Sequence, residues 1–330
     1  MKILTIGTSI ITTHFCEAVL KSKHSTINAV YSRDLKKAES FARPYNALSY
    51  DNLEHALNDI NIDTVYVASV NNLHFKHAKQ AIEANKNVIL EKPSTHDAKE
   101  FNYLLEMAKN HKVIILEAIT TMFLPNHAWI KENIYRLGII KSVYAAYHQY
   151  SSKYEAYLNH EDPNIFTLTH SGGCLVDLNV YNLHFILSLF DTPKKAKYYP
   201  VLGYNGIDIS GVAILEYDSF IAIASASKSH HGDQTIVIEG ELGTLRVSSA
   251  ANTLRHVTIS TKDATFSSDI IDTQNVLEYE VLVMEALLKE PYNDSIHNLN
   301  NHSLKVIDIM SKIRKDANIY FEGEKNETLF

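Results

Sequence analysis

The chain has 330 residues, 45% of them hydrophobic and 21% charged, and a formal net charge of −7. That length and composition give a globular chain long enough for two domains with a sizeable core, and an acidic balance with no basic tract argues against a nucleic-acid or polyanion partner. No run approaches the ~18 apolar residues of a membrane span, and two cysteines, Cys16 and Cys174, make neither a disulfide framework nor a zinc site. The expectations are a reducing, cytoplasmic compartment, no metal, no membrane and no nucleic acid. The sequence starts directly on a strand with no charged leader, and it shows neither low complexity nor an internal repeat.

Residues 2–119 alternate strand and helix. Lys2 to Ile6 reads as an apolar strand, Gly7-Thr8-Ser9 as a turn, and Ile10 to Leu20 as a helix. Strand Ile27 to Tyr31, helix Leu35 to Ala42 and a short helix Asp51 to Leu57 follow. Then come strand Thr64 to Ala68, helix His74 to Glu83, strand Val88 to Leu90, a helix over 96–109 and strand Val113 to Leu116. Such alternation implies right-handed crossovers and a parallel sheet covered on both faces.

Three strand ends carry chemistry. After the first strand, Gly7-Thr8-Ser9-Ile10-Ile11-Thr12 stands where a dinucleotide fingerprint would read Gly-x-Gly-x-x-Gly. Gly7 serves the tight turn. Ser9 takes the position of pyrophosphate approach, and Thr12 that of close helix–strand packing. Ser is small enough to offer an N–H and a hydroxyl, and the helix N-terminus remains an anion site. The second strand ends Ser32-Arg33-Asp34, with no acidic residue at its tip; Arg33 suits a 2′-phosphate, which favours NADP over NAD. The third strand ends Ala68-Ser69-Val70-Asn71-Asn72-Leu73-His74, placing Ser69, Asn71 and His74 at the same carboxyl edge.

The strand Val88 to Leu90 stops at Glu91-Lys92-Pro93. Pro93 cannot extend a sheet and biases Lys92 towards an extended conformation. Thr95 can cap the next helix, which is expected to start near His96. An ammonium group is thereby fixed at the carboxyl end of a strand, where open α/β sheets bind ligands.

Taken together, these motifs resemble the Gfo/Idh/MocA oxidoreductase family, the relatives of glucose–fructose oxidoreductase and inositol dehydrogenase. The family shows a Gly-rich first turn, a strand ending near Pro-Asn-x-x-His, an intact Glu-Lys-Pro, and a strand ending Glu-Ala with a Pro soon after. This sequence has Asn71 to His74 with Val70 in place of the Pro, Glu91-Lys92-Pro93, Glu117-Ala118 and Phe123-Leu124-Pro125. The family's Gly-Gly turn into a helix with Asp-x-Gly-x-Tyr/His corresponds to Gly172-Gly173 through Asp177-Leu178-Asn179-Val180-Tyr181, with Asn179 for the usual Gly. The resemblance implies a Rossmann domain, 1–120, with a doubly wound parallel sheet. It implies an α+β domain, 121–330, with a large, mainly antiparallel open sheet for substrate binding and oligomerisation.

In the second half a helix over 122–137 is expected to lead into strands Val143 to Tyr150, Ala196 to Val201, Ser210 to Tyr217, Phe220 to Ser227, Thr235 to Glu239, Thr244 to Val247 and Val257 to Ile259. Helices over 276–289 and 299–315 close the chain. Asp177, Tyr181 and His184 follow i, i+4, i+7 spacing, one face of an α-helix. His184 is as well explained by a place in the core. His230-His231 is no metal pair, since adjacent strand residues face opposite ways.

The resemblance implies hydride transfer between nicotinamide C4 and a carbinol carbon of a sugar, cyclitol or diol, with NADP or NAD. Lys92, Tyr181 and Asp177 would be catalytic. Gly7, Ser9, Ile10, Ser32, Arg33, Ser69, Asn71, His74, Glu91 and Lys92 would hold the cofactor. Lys92, Glu117, Tyr150, Asp177, Tyr181 and His184 would meet the substrate. Lys92 would stabilise developing alkoxide charge. Tyr181 would move the hydroxyl proton, and a free phenol titrates near 10, so a neighbouring cation is called for. Family members with His at the position of Tyr181 are cyclitol or sugar dehydrogenases, whereas Tyr is similar to the dihydrodiol and xylose dehydrogenase branch. A homodimer or homotetramer through the second sheet is expected. Two alternatives stay open: a non-catalytic nucleotide sensor, which the altered Gly-rich turn would suit, and a glycosidase using NAD without net redox change.

Overall fold

Short apolar runs buried on both faces favour parallel strands, and the first third of the chain forms them. In the computed structural model, which describes residues 1–290 and 293–324, β1 (Lys2–Ile6), β2 (Thr26–Tyr31), β3 (Leu48–Tyr50), β4 (Thr64–Val67), β5 (Asn87–Glu91) and β6 (Ile115–Ala118) pair in the order β3-β2-β1-β4-β5-β6. All five adjacent pairs are parallel. Helices α1 (Ile10–Lys21), α2 (Leu35–Ala42), α3 (Leu53–Leu57), α4 (His74–Glu83) and α5 (Ala98–His111) lie along this segment. The chain reverses its direction of winding between β1 and β4, so the crevice for a ligand lies at their carboxyl ends.

Three local expectations are corrected. Helix α5 starts at Ala98, with Asp97 as cap accepting from the Lys99 N–H at 2.7 Å; Thr95 is buried and donates to the Asp97 carbonyl. An ionised carboxylate suits a helix N-terminus better than a hydroxyl does. Strand β6 covers 115–118 rather than 113–116, in register with β5 from Val88 to Glu91, which puts Glu117 inside the sheet. The single helix expected over 122–137 is α6 (Pro125–Asn133), flanked by 3₁₀ turns at Thr120–Phe123 and Ile134–Leu137. Pro125 sits at the first turn because its ring would break a helix that ran through it.

The second sheet contains β7 (Ile140–His148), β8 (Lys195–Leu202), β9 (Asp208–Glu216), β10 (Ile221–Ser227), β11 (Gln234–Gly240), β12 (Gly243–Val247), β13 (Val257–Thr261) and β14 (Thr265–Ser268). Their order is β14-β13-β12-β11-β7-β10-β9-β8. Only β7 and β10 pair parallel; the other adjacent pairs are antiparallel. Helix α7 (Tyr154–Leu158) and strand β14, neither expected from the sequence, lie in this half. A π-helical turn, Leu175–Asn179, leads into α8 (Val180–Phe190). Helices α9 (Leu277–Lys289) and α10 (Asp294–Asp316) follow the last strand.

By packing, the chain divides into two compact units, Met1–Ile119 with Thr273–Leu304, and Thr120–Asp272 with residues from Lys305 onward. The first unit thus takes helix α9 from late in the chain. Asn275 donates to the His14 carbonyl at 2.7 Å, Lys21 pairs with Glu278 at 2.6 Å, and the Ser22 and Ser25 hydroxyls donate to Glu285. Among the described residues no helix is long and apolar enough to cross a membrane.

Candidate active site

In the first unit the carboxyl edge is shaped by close approach of backbone. Gly7 has φ +119, and a Cβ there would lie 2.3 Å from the Ala68 carbonyl oxygen, so only glycine lets β1 turn this near β4. The chain passes at once into Ser9, the N-cap of α1. Its side chain makes no capping hydrogen bond and instead meets the Thr12 hydroxyl at 3.2 Å. Ser9 and Ile10 are exposed, Ile10 at 70%. The first N–H groups of a twelve-residue helix are thereby left for an outside acceptor, and a phosphate fits them.

At the tip of β2, Asp34 is committed as the cap of α2, accepting from the Lys36 and Lys37 N–H groups at 3.0 and 3.3 Å. The Ser32 hydroxyl accepts from the Asp34 N–H, and Arg33 is exposed beside it. At the end of β4, the Ser69 hydroxyl meets His77 Nδ1 at 2.9 Å. Burial, with His74, Lys76 and Arg33 adding, pushes His77 down to about 4, so it is neutral at pH 7. Asn71 opens a 3₁₀ turn and stays partly exposed. His74 is 1% exposed, with its two ring nitrogens 2.9 Å from the Pro93 and Ser69 carbonyls. Burial lowers its pKa, and a neutral imidazole donates only once, so one of these contacts is the hydrogen bond. His74, expected among the cofactor contacts, is instead enclosed as a tie between the β4 and β5 ends.

The Lys92 loop is held from within by two buried carboxylates. Glu91 accepts from the Tyr66 hydroxyl at 2.6 Å and from the Lys92 N–H at 3.2 Å, and burial pushes its pKa up to about 7. Glu117 accepts from the Ser94 N–H at 2.9 Å, and burial raises its pKa as well. Glu117 is 3% exposed, so it braces the loop that follows Lys92 and is not laid open to a substrate. Lys92 itself is partly exposed at the strand end.

In the second unit the Gly-Gly turn has a specific cause. Gly173 has φ +113, and a Cβ there would fall 2.1 Å from Asp208 Oδ1. Asp208 accepts from the Leu175 N–H at 2.6 Å and the Tyr198 hydroxyl at 2.7 Å, and burial pushes it up to about 6. These contacts fix the first residue of the π turn. Asp177, in the middle of that turn, pairs through Oδ2 with Lys228 Nζ at 2.8 Å; the side chains are 26% and 1% exposed. Tyr181, just after the turn, is partly exposed, with its ring 6.0 Å from that of Tyr147.

The single-face reading of Asp177, Tyr181 and His184 is corrected here. Tyr181 and His184 lie three residues apart in the regular helix α8, about 60° around its axis, and that rotation takes His184 into the core. Asp177 and Tyr181 are part-exposed, while His184 is fully buried and burial pushes it down to about 3. His184 is a neutral core histidine, closed to a substrate. Tyr150 donates its hydroxyl to Glu155 and stacks on His231 with centroids 5.4 Å apart. His230 meets the Ser227 hydroxyl, and among the described residues no group of three His, Cys, Asp or Glu could hold a metal ion.

Sequence reading missed Lys228 and Asp208. A lysine after a strand in Ser-Lys-Ser gives no sign of burial. Gly172-Gly173 does signal a close approach, but not which side chain makes it.

Comparison with known proteins agrees with this architecture. The Gfo/Idh/MocA family description "oxidoreductase family, NAD-binding Rossmann fold" matches residues 1–118, and the Gfo/Idh/MocA C-terminal domain matches residues 131–246. The scyllo-inositol 2-dehydrogenase (NADP(+)) of Bacillus subtilis is 32% identical, covering 97% of this chain and 98% of its own. The trans-1,2-dihydrobenzene-1,2-diol dehydrogenase of Danio rerio is 26% identical over 69% of this chain and 68% of its own. Among solved structures, the 3-ketoreductase KijD10 of Actinomadura kijaniata, in complex with NADP and TDP-benzene, superposes with TM-score 0.84 at 17% identity. That superposition covers 96% of this chain and 97% of its own, and it shows the shared fold. The chain belongs to the Gfo/Idh/MocA family and is an NAD(P)-dependent oxidoreductase with an N-terminal Rossmann unit.

Proposed function

We propose that the protein transfers hydride between nicotinamide C4 and a carbinol carbon of an uncharged, polyhydroxylated small molecule, a sugar, cyclitol or diol, and that it prefers NADP. The observation that carries this reading is the pair Asp177 and Tyr181, a carboxylate on the π turn and a phenol at the start of α8, both part-exposed while the turn's Asn179 is buried. Relatives named as NADP(+)-dependent dehydrogenases of scyllo-inositol and D-xylose support the substrate class.

The nicotinamide cofactor, when bound, supplies the hydride chemistry. Gly7, Ser9 and Ile10 would hold its pyrophosphate on the α1 N-terminus, Ser32 and Arg33 its adenosine ribose, and Ser69 and Asn71 the adjoining edge. Lys92 stabilises negative charge on the reacting oxygen. Tyr181 takes or returns the hydroxyl proton. Asp177 accepts a hydrogen bond from a second hydroxyl and so orients the ring. Glu91, Glu117 and His74 act on the loop carrying Lys92.

The outward residues of the second sheet, Tyr199, Val201, Ile221 and Ile223, are exposed and apolar. We read this face as a homodimer or homotetramer surface, which light scattering tests. The free, buried thiols Cys16 and Cys174 suit a cytoplasmic setting.

The decisive experiment follows nicotinamide absorbance against a panel of aldoses, cyclitols and diols at neutral and alkaline pH. Turnover of at least one such compound supports the proposal. Cofactor that is bound but never oxidised or reduced overturns it in favour of a nucleotide sensor. Cofactor that survives purification and is not consumed while a glycoside is cleaved overturns it in favour of a net-neutral glycosidase.

A further inference from the structure

Lys228 is a fully buried ammonium group to which the proposed chemistry gives no part. Its place is over-determined. Its N–H donates to the Ile209 carbonyl at 2.9 Å, and its own carbonyl accepts from the Ser151 N–H at 2.9 Å. Its Nζ donates to the Ile165 carbonyl at 2.7 Å, lies 4.3 Å from the centroid of the Phe166 ring and meets Asp177 Oδ2 at 2.8 Å. The π turn is therefore pinned at three points. Asp208 holds the Leu175 N–H, the Asn179 amide donates to the Ala224 carbonyl at 3.0 Å, and Lys228 holds Asp177. Only the last pin acts on a side chain that reaches solvent.

A buried ion pair is a poor device for stability alone, because a well-packed apolar pair of similar volume serves as well. It is a good device for fixing a charge in one orientation. We propose that Lys228 is a positioning residue: by gripping one carboxylate oxygen of Asp177 it fixes the side chain and its π turn in the one geometry that presents the carboxylate to a substrate hydroxyl. This rests on the polyol-oxidoreductase reading of the same site.

The test is a double-mutant cycle of Asp177→Asn, Lys228→Met and both together. It reads kcat/KM for a turned-over polyol, NADP affinity and backbone amide exchange. Lys228→Met is expected to lower kcat/KM about 10²-fold, the cost of a misplaced group, with NADP affinity unchanged. Added to Asp177→Asn, the same change should cost less than about threefold, because its effect runs through Asp177. A full multiplicative loss overturns the proposal. If either single variant does not fold, amide exchange in the double variant, which buries no orphan charge, still decides, and unaltered protection at 175–181 there overturns the proposal. Amide exchange needs no substrate. Lys228→Met should speed exchange across residues 175–181 about tenfold and leave the first unit unchanged. Should the parent turn over no polyol, the functional reading fails, and unaltered exchange at 175–181 would be the separate result that overturns the role of Lys228.

Discussion

The ends of β1 and β2 in the first sheet and the π turn of the second unit are built on opposite plans. The first is made of backbone. Gly7 allows the approach, helix α1 offers its N–H groups, and the side chains that would meet a cofactor, Ser9, Ile10 and Arg33, are exposed. The second is made of buried charge. Asp208, Asp177 and Lys228 lie around one turn, two of them almost wholly out of water. Breaking a buried pair costs about 3–5 kcal/mol, whereas an exposed pair such as Lys21–Glu278 contributes at most ~1 kcal/mol. A site made of backbone tolerates changed side chains; a site made of buried charge does not. The altered Gly-rich turn beside an unaltered Glu-Lys-Pro and Asp177–Tyr181 is what that difference leads one to expect.

The sharpest way to break the comparison is to remove the two groups assigned to the reacting oxygen. Tyr181→Phe keeps the ring against Tyr147 but loses the proton, and turnover should fall roughly 10²–10⁴-fold. Lys92→Ala should cost about 10²–10³-fold, as deleted oxyanion donors do. If both act on one oxygen, the double variant loses much less than the product of the single losses. Steady-state kinetics on all three variants, with melting temperature alongside, decides. Near-parental turnover of Tyr181→Phe would move the proton role to Asp177.

Buried carboxyls also predict a pH signature, to which Glu91 and Glu117 contribute in the first unit and Asp208 in the second. Asp208 titrates from an ordinary 3.8 to about 6 in the fold because burial disfavours its charged form. The native state therefore holds the proton longer than the unfolded chain. Its contribution is complete below the unfolded value and is lost as pH rises to about 6, a difference on the order of 3 kcal/mol. Asp208→Asn should flatten that part of the curve, because an uncharged amide oxygen accepts from the Leu175 N–H and the Tyr198 hydroxyl alike at every pH. Urea midpoints from pH 4 to 7.5 measure it. Parallel curves for parent and variant would mean that Asp208 is not desolvated, and that the contrast between the two plans is false.

How much was legible follows the same division. The parallel strands, their order of appearance and the loops at their ends were readable because each is a local pattern, an apolar run stopped by small or Pro-containing segments. Asp177 and Tyr181 were singled out through the resemblance of the stretch Gly172-Gly173 through Tyr181 to the family's motif, and both lie part-exposed. Lys228 and Asp208 were not, because what defines them is burial against residues 51 and 33 positions away in the chain, Asp177 and Leu175. His184 was misplaced because residues three apart share a helix face only to within about 60°, enough for Tyr181 to stay part-exposed while His184 is enclosed. His74 and Glu117 were recognised as important, but the sequence could not tell a group facing a ligand from one supporting the loop that does.

Arg33 probes the backbone plan where it relies on a side chain. With Asp34 tied to the Lys36 and Lys37 N–H groups, Arg33 is the charge left at the β2 tip. Arg33→Ala should weaken NADP by roughly 1.5–3 kcal/mol, the scale of a charge-assisted hydrogen bond, and leave NAD nearly unchanged. Calorimetric titration of both cofactors checks it. Equal losses, or tighter NAD in the parent, would reject the assignment.

The smallest effect is the most telling. Ser9 stands where backbone must approach pyrophosphate, and a side chain there would be a lesion if it pointed at the ligand. Its hydroxyl instead meets Thr12 at 3.2 Å, and its backbone is extended, φ −85 and ψ 175, a conformation open to any residue. Nothing in that geometry asks for glycine, unlike Gly7 two residues earlier. Ser9→Gly should therefore change NADP affinity by less than about tenfold, or 1.4 kcal/mol. It should also cost a little helix stability, through backbone entropy at the first turn. Fluorescence titration of the reduced cofactor gives the number. A parent that binds no nucleotide until Ser9 is replaced would show that the side chain, not the backbone, governs this edge, and would favour a protein that has lost the reaction while keeping the fold.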